Sequence, residues 1–248
     1  MATLGILECD VLYDDLIDDY SSYGVMLSEL LSSIDPHLNY IFYQVHDGEL
    51  PSHGDCDAYL LTGSKTGVYD TEHWLPPLMD WVQEAHARKE RMLGICFGHQ
   101  LLAHALGGHA GLSNKGWGVG NHMTEIDHRP MWLNDDQPAY QLIYSHKDQV
   151  SSLPEEARRL AGSDFCEYAA WYLSDLVLSF QGHPEFTPEY FRRLLERRRE
   201  DVGDERLTQA MNTLEQPNDS ETIARWMIEF IHLPRSVSYT HLRAHETR

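Results

Sequence analysis

An apolar run, Met92-Leu93-Gly94-Ile95, passes into the stretch Gly98-His99-Gln100-Leu101-Leu102 through a cysteine held between glycines at positions 94 and 98. This junction restricts the fold more than any other stretch of the 248 residues. A strand that turns directly into a helix lifts the corner residue clear of the sheet, and the glycines permit a backbone too tight for a Cβ. The helix starting behind Cys96 presents unpaired N–H groups and the positive end of its dipole to the sulfur, which favours an anion there. Cys96 is therefore a candidate nucleophile. Taken alone, the same pattern also fits a small buried hydrophobe, the commonest fate of a free cysteine.

A second motif bears on that choice. Ser179-Phe180-Gln181-Gly182-His183-Pro184-Glu185-Phe186 follows the apolar run Leu176-Val177-Leu178, at the mouth of another expected strand. With Pro184 fixing the backbone between them, one turn can aim the His183 imidazole at a thiol while the Glu185 carboxylate holds the other ring nitrogen and sets the tautomer. A His-Pro-Glu sequence by itself is usually just a turn. Together with a cysteine corner it supplies a nucleophile, a base and an orienting acid.

These two motifs resemble the class I glutamine amidotransferases, whose glutaminase domains carry a Gly-x-Cys-x-Gly-His-Gln elbow and a Gly-His-Pro-Glu turn. The likeness is strongest to the stand-alone GMP-synthase-like branch that includes the plant γ-glutamyl peptidases. Asp47-Gly48-Glu49-Leu50-Pro51, Leu61-Thr62-Gly63-Ser64, Val68-Tyr69-Asp70, Gly116-Trp117-Gly118-Val119-Gly120 and Ser145-His146-Lys147-Asp148-Gln149-Val150 also look like that branch, in the expected order, from about residue 3 to about residue 193. The resemblance implies a Cys96-His183-Glu185 triad and an oxyanion hole made by the backbone amides of Gly63 and Phe97. It further implies Gln100 as a substrate contact, with Ser145 and Asp148 at the substrate's amino-acid end; His146 is not carried over. No cofactor or metal is implied.

The length suits one α/β domain with a full core and is too short for a glutaminase joined to a sizeable synthetase. A single domain is expected over residues 1–234. The formal charge of −20 makes nucleic acid and anionic membranes unfavourable partners. Cys9, Cys56, Cys96 and Cys166 are scattered, with neither metal-like pairing nor disulfide-scaffold density, which fits a reducing compartment. The N-terminus lacks a basic leader and no apolar run is long enough to cross a bilayer, so a cytoplasmic protein is expected. Residues 235–248 lose apolar periodicity and turn basic, resembling a translated sequencing adapter, and are set aside as a non-native tail.

Along the chain, residues 4–9, 38–45, 57–62, 91–95 and 141–144 read as strands. Residues 23–31, the stretch from Leu75 to Ala85, residues 98–106, the segment after Thr187-Pro188 and residues 220–231 read as helices. Residues 13–20 read as a polar loop whose paired aspartates solvate it rather than bind a cation. The histidines at 99, 104 and 109 are spaced by five, which does not stack ligands on one helical face, and are read as non-metal histidines. The arginines at 192, 193, 197, 198 and 199 read as a solvated helix face. Alternating strands and helices predict a three-layer α/β fold, a mainly parallel sheet with helices on both faces, which is flavodoxin-like in the family the motifs resemble. Active sites in such sheets lie at the carboxyl ends of strands, where both motifs fall.

The leading expectation is an enzyme that hydrolyses the side-chain amide of glutamine or of another γ-glutamyl compound through a glutamyl-thioester. If glutamine is the substrate, a separate synthetase chain is the expected partner. If a γ-glutamyl peptide or conjugate is the substrate, the chain is a self-sufficient peptidase. An alternative of another class is a non-enzymatic thiol sensor or binding module, which has no use for a His-Pro-Glu turn or for Gln100.

Overall fold

A computed structural model describes residues 1–234; the basic tail lies outside them. The strands are β1 (Thr3–Glu8), β2 (Asn39–Gln44), β3 (Ala58–Leu61), β4 (Arg91–Ile95), β5 (His109–Leu112), β6 (Gly118–Ile126), β7 (Ala139–His146), β8 (Asp148–Ser152), β9 (Arg158–Gly162), β10 (Ala170–Leu173) and β11 (Val177–Phe180). The helices are α1 (Asp14–Tyr20), α2 (Tyr23–Ile34), α3 (Leu75–Ala87), α4 (Phe97–Ala105), α5 (Pro188–Arg197), α6 (Arg199–Val202), α7 (Asp204–Thr213) and α8 (Ser220–Ile231).

Nine strands form one sheet in the order β2-β1-β3-β4-β11-β10-β9-β6-β7, and β5 pairs with β8 in a small second sheet. From β2 to β11 all neighbours run parallel. From β11 to β7 they run antiparallel. The expected α/β architecture is present, with an antiparallel extension whose strands β9 and β10 the sequence does not announce.

Strands β1, β3, β4 and β11 are apolar on both faces because helices cover both, whereas edge strand β2 is largely exposed. On β1, Leu4 and Ile6 face a core shared with Leu27 and Leu31 of α2 and with Ile223, Trp226 and Phe230 of α8. Leu7, Tyr59 and Leu61 face the opposite core, with Leu78, Trp81 and Val82 of α3 and Leu101 and Leu102 of α4. Each fully buried leucine of this kind stabilises the fold by roughly 1.5–3 kcal/mol. A third cluster joins α1, α5 and α7 at the carboxyl end of the sheet through Leu16, Tyr190, Phe191, Leu194, Leu195 and Leu207.

Capping fixes where the helices begin. Ser22 accepts from the Val25 N–H at 3.1 Å, and Thr187 accepts from the Tyr190 N–H at 3.1 Å ahead of Pro188. The expectation of a loop over residues 13–20 is corrected: α1 spans most of it. Its acids lie on a helix whose Asp15 and Asp19 pair with Arg197 and Arg193 of α5, and Leu16 is buried beneath them. A single buried leucine between polar turns gives too little apolar periodicity to mark a helix.

Candidate active site at the carboxyl edge of the sheet

Strands β3, β4 and β11 are consecutive in the sheet and parallel, so the segments leaving their carboxyl ends emerge side by side. Gly63 follows β3, Cys96 follows β4, and His183 follows β11. Parallel register thus brings together three groups far apart in sequence.

Cys96 has φ +52° and ψ −102°, a conformation that costs an L residue on the order of 1–3 kcal/mol. The surroundings over-determine it. Its N–H donates to the Phe180 carbonyl at 2.9 Å, its own carbonyl accepts from the Gln100 N–H at 3.0 Å, and the Gly98 N–H donates to the Thr62 carbonyl at 3.1 Å. A Cβ on Gly94 would lie 2.6 Å from the Gly98 carbonyl carbon, and one on Gly98 would lie 2.3 Å from the Leu61 carbonyl oxygen. Both glycines therefore serve close backbone approach. Cys96, like the other three cysteines, is free and buried.

The turn carrying His183 is pinned on both sides. The Gln181 N–H donates to the Ala169 carbonyl and the His183 N–H to the Ile143 carbonyl, each at 2.8 Å. His183 Nδ1 lies 2.8 Å from Glu185 Oε1, and the ring stacks on Phe186 at 3.8 Å with 7° between planes. Burial alone depresses this imidazole, but the Glu185 carboxylate and then the Cys96 sulfur outweigh it, raising the pKa to about 9. Gly63 lies against both groups: a Cβ there would be 3.0 Å from His183 Cε1 and 3.8 Å from Cys96 Cβ. Among the described residues, neither the Gly63 nor the Phe97 N–H donates to a protein acceptor.

A cavity of about 150 Å³ opens beside Cys96, lined among others by Tyr13, Gln100, Trp117, Ser145, Asp148 and Arg198. Gln100 Nε2 donates to the Asp148 carbonyl at 2.9 Å and to Gln181 Oε1 at 3.1 Å, so it ties the cavity floor to the His183 turn. Asp148 accepts from the Tyr69 hydroxyl at 3.2 Å, and burial raises its carboxyl above the usual range. His146 also lines the cavity; its Nδ1–H donates to the Asp148 carbonyl at 2.9 Å, and burial pushes its pKa down to about 3, leaving it neutral. Of the residues the sequence marks as a candidate site, Cys96, Gln100, Ser145 and Asp148 line this cavity; Gly63 and His183 lie against Cys96 behind it. His99 lies beneath it, fully buried against Ser179 and held neutral, with its pKa lowered to about 3 by burial. Among the described residues no three His, Cys, Asp or Glu side chains gather as a metal-binding group, and no helix is long and apolar enough to cross a membrane.

Comparison with known proteins fits this geometry. The profile of the family Glutamine amidotransferase class-I matches residues 15–199, well over half of the chain. The chain belongs to that family. γ-Glutamyl peptidase 2 of Arabidopsis thaliana is 32% identical over 161 residues, a match covering 62% of this chain and 65% of that relative's own length. A glutamine-hydrolyzing GMP synthase component of Methanococcoides burtonii is 38% identical over 95 residues, covering 38% of this chain and 50% of its own. Among solved structures, a glutamine amidotransferase from Thermotoga maritima superposes with a TM-score of 0.72 at 17% identity, covering 93% of this chain and 96% of its own. The fold is thus that of the class I amidotransferases.

Sequence reading misses Arg198 in this amidotransferase-family chain. It falls within an apparently solvated arginine face, yet it is 8% exposed and donates from Nη1 to Ser145 Oγ at 2.8 Å and to the Ser145 carbonyl at 3.2 Å. The signal is in the spacing: Phe191, Leu194 and Leu195 are buried, and steps of seven, four and three all reach position 198.

Proposed function

We propose that this chain hydrolyses a γ-glutamyl amide through a glutamyl-thioester on Cys96. The observation that carries the reading is the strained Cys96 corner facing a buried His183 that is itself held by Glu185. In the proposed sequence the Cys96 sulfur attacks the γ-carbonyl carbon, and negative charge develops on the carbonyl oxygen beside the free N–H groups of Gly63 and Phe97. His183 takes the thiol proton and delivers it to the leaving nitrogen as the C–N bond breaks. A water molecule, deprotonated by His183, then cleaves the thioester, releasing glutamate and restoring the cysteine. Glu185 holds the imidazole in orientation and stabilises its charged form.

The substrate class we favour is a γ-glutamyl compound processed without a partner, in line with the likeness to γ-glutamyl peptidases. A second reading, glutamine hydrolysis feeding ammonia to a separate synthetase, is favoured by the likeness to the glutamine-hydrolyzing GMP synthase component. Assaying glutamine and γ-glutamyl dipeptides side by side separates them. Cys96→Ala tests the mechanism: amide release is expected to vanish while thermal unfolding is unchanged, and retained turnover would reject the thioester route.

A further inference from the structure

Five arginines lie between positions 192 and 199, and four of them pair with carboxylates. Arg192 pairs with Glu215, Arg193 with Asp19, Arg197 with Asp15, and Arg199 with Glu196 and Asp204. Arg198 is the exception. It is the most buried of the set, and among the described residues no carboxylate pairs with it, in a chain that carries 39 acidic residues. A guanidinium removed from water without a counter-charge costs several kcal/mol, and hydrogen bonds from one nitrogen to a serine do not neutralise it.

Its setting is built. Arg198 closes the end of α5, where its N–H donates to the Leu194 and Leu195 carbonyls, and its own carbonyl accepts from the Val202 N–H. The guanidinium lies over the Trp117 ring at 5.4 Å and is held by Ser145. It lines the cavity that holds Cys96. Of the other cations of that cavity, Lys65 pairs with Asp10 at 3.0 Å and donates to the Val11 carbonyl, while Lys147 is exposed to solvent with its Nζ 5.9 Å from the Trp117 ring centroid, so it is hydrated where Arg198 is not.

We propose that Arg198 is the anchor for the α-carboxylate of the γ-glutamyl group, with its guanidinium completing the ion pair that the protein itself leaves open. The inference rests on the γ-glutamyl reading above. A γ-glutamyl group carries its reactive carbonyl at one end and an ammonium and a carboxylate at the other. Cys96 meets the first end, and Asp148 and Arg198 supply opposite charges for the second. Fixing the carboxylate at a buried, stacked guanidinium sets the distance from the α-carbon to the sulfur and excludes amides that lack the group.

The test is calorimetric titration of the full chain with L-glutamate and with 4-aminobutyrate, which is glutamate without the α-carboxylate. Wild type is expected to bind glutamate at least about thirtyfold more tightly, the loss typical of removing one member of a buried charge pair. Arg198→Gln is expected to abolish that preference, Arg198→Lys to recover part of it, and thermal unfolding of each variant checks that it is folded. Equal binding of the two ligands by wild type, no binding of either, or a preference that survives in folded Arg198→Gln overturns the proposal. The wild-type comparison needs no variant. Turnover is scored separately: a glutamate preference without γ-glutamyl hydrolysis sinks the functional reading alone, and hydrolysis without the preference sinks this inference alone.

Discussion

The two halves of the large sheet build the candidate site by different means. The parallel half, β2 to β11, contributes Gly63, Cys96 and His183 from adjacent strand ends, and holds them by backbone bonds and by glycines with no room for a side chain. The antiparallel half contributes Ser145 and His146 from β7 and Trp117 from just before β6. There the β6–β7 ladder sets the backbone, and side-chain contacts such as Arg198 to Ser145 orient the groups on it, with Gln100 of α4 reaching the Asp148 carbonyl of the small sheet. On the proposed function, the reacting groups are fixed by backbone geometry and tolerate little adjustment, whereas the substrate-facing groups are oriented by side chains and can be retuned one at a time. Substitutions in the first half should therefore cost turnover or folding, and those in the second should cost affinity.

Among the probes of this contrast the largest effect is expected at Glu185→Gln, which keeps the shape of the proposed triad and removes its negative charge. By analogy with other orienting acids, kcat/KM falls on the order of a thousandfold, about 4 kcal/mol of barrier. The pH dependence moves as well. The His183 pKa is raised to about 9 in the fold, above the ordinary histidine value, so its contribution to stability is fully present below about pH 6.5 and is lost as pH rises through about 9. With the carboxylate gone, the folded value drops, the alkaline fall in stability becomes shallower, and the limb of kcat/KM set by His183 shifts to lower pH. Denaturant titrations at pH 6.5 and pH 9.5, beside a pH–rate profile, read both. An unchanged profile would mean that His183 does not depend on Glu185.

Next in size is Gly98→Ala. Its new Cβ would meet the Leu61 carbonyl oxygen at 2.3 Å and Leu61 Cβ at 2.7 Å, atoms of a fully buried strand that has nowhere to move. Separating α4 from β3 is expected to destabilise the chain by about 3 kcal/mol or more, seen as a lowered Tm. A near-neutral result would show that the parallel half is softer than its contacts imply, and the contrast between the halves would fail.

What can be read from the sequence follows the same division. The elbow and the His-Pro-Glu turn are legible because glycine, cysteine and proline are demanded locally by a tight backbone, and local demands leave local patterns. Strand β4 and helix α8 have the bounds their sequences predict for a related reason, since each is a clean apolar period with its own ends. Strands β9 and β10 leave no such mark. Their short sequences, RRLAG and AWYL, are shaped by neighbours in the antiparallel ladder rather than by turn residues at their ends. Arg198 escapes sequence reading because its role depends on Trp117 and Ser145, residues more than fifty positions away, with only the helical spacing to hint at its burial.

Ser145→Ala is a gentler probe of the antiparallel side. It removes the 2.8 Å contact to Arg198 Nη1 but leaves the Ser145 carbonyl bond in place. A hydrogen bond to a charged group is worth about 1.5 kcal/mol, so roughly a tenfold loss in kcat/KM is expected, carried by KM with kcat nearly intact. If kcat fell and KM held, Ser145 would belong with the reacting groups and the contrast would be drawn in the wrong place.

The smallest effect is expected at Asp15→Asn, on the outer wall of the cavity. Asp15 pairs with Arg197 at 2.5 Å, but both side chains are largely in water, at 42% and 49% exposure, so the pair contributes below about 1 kcal/mol and less in high salt. Arg197 also lies over the ring of Tyr13, which lines the cavity, so the pair links α1 and α5 across a wall that packing already supports through Leu16, Phe191 and Leu194. If that packing sets the wall, KM for a γ-glutamyl dipeptide in low and high salt should differ little between wild type and variant. A several-fold rise in KM, matched in wild type by adding salt, would mean instead that surface charge holds Tyr13 in place, and the substrate side would be softer still than the side-chain contacts around Arg198 suggest.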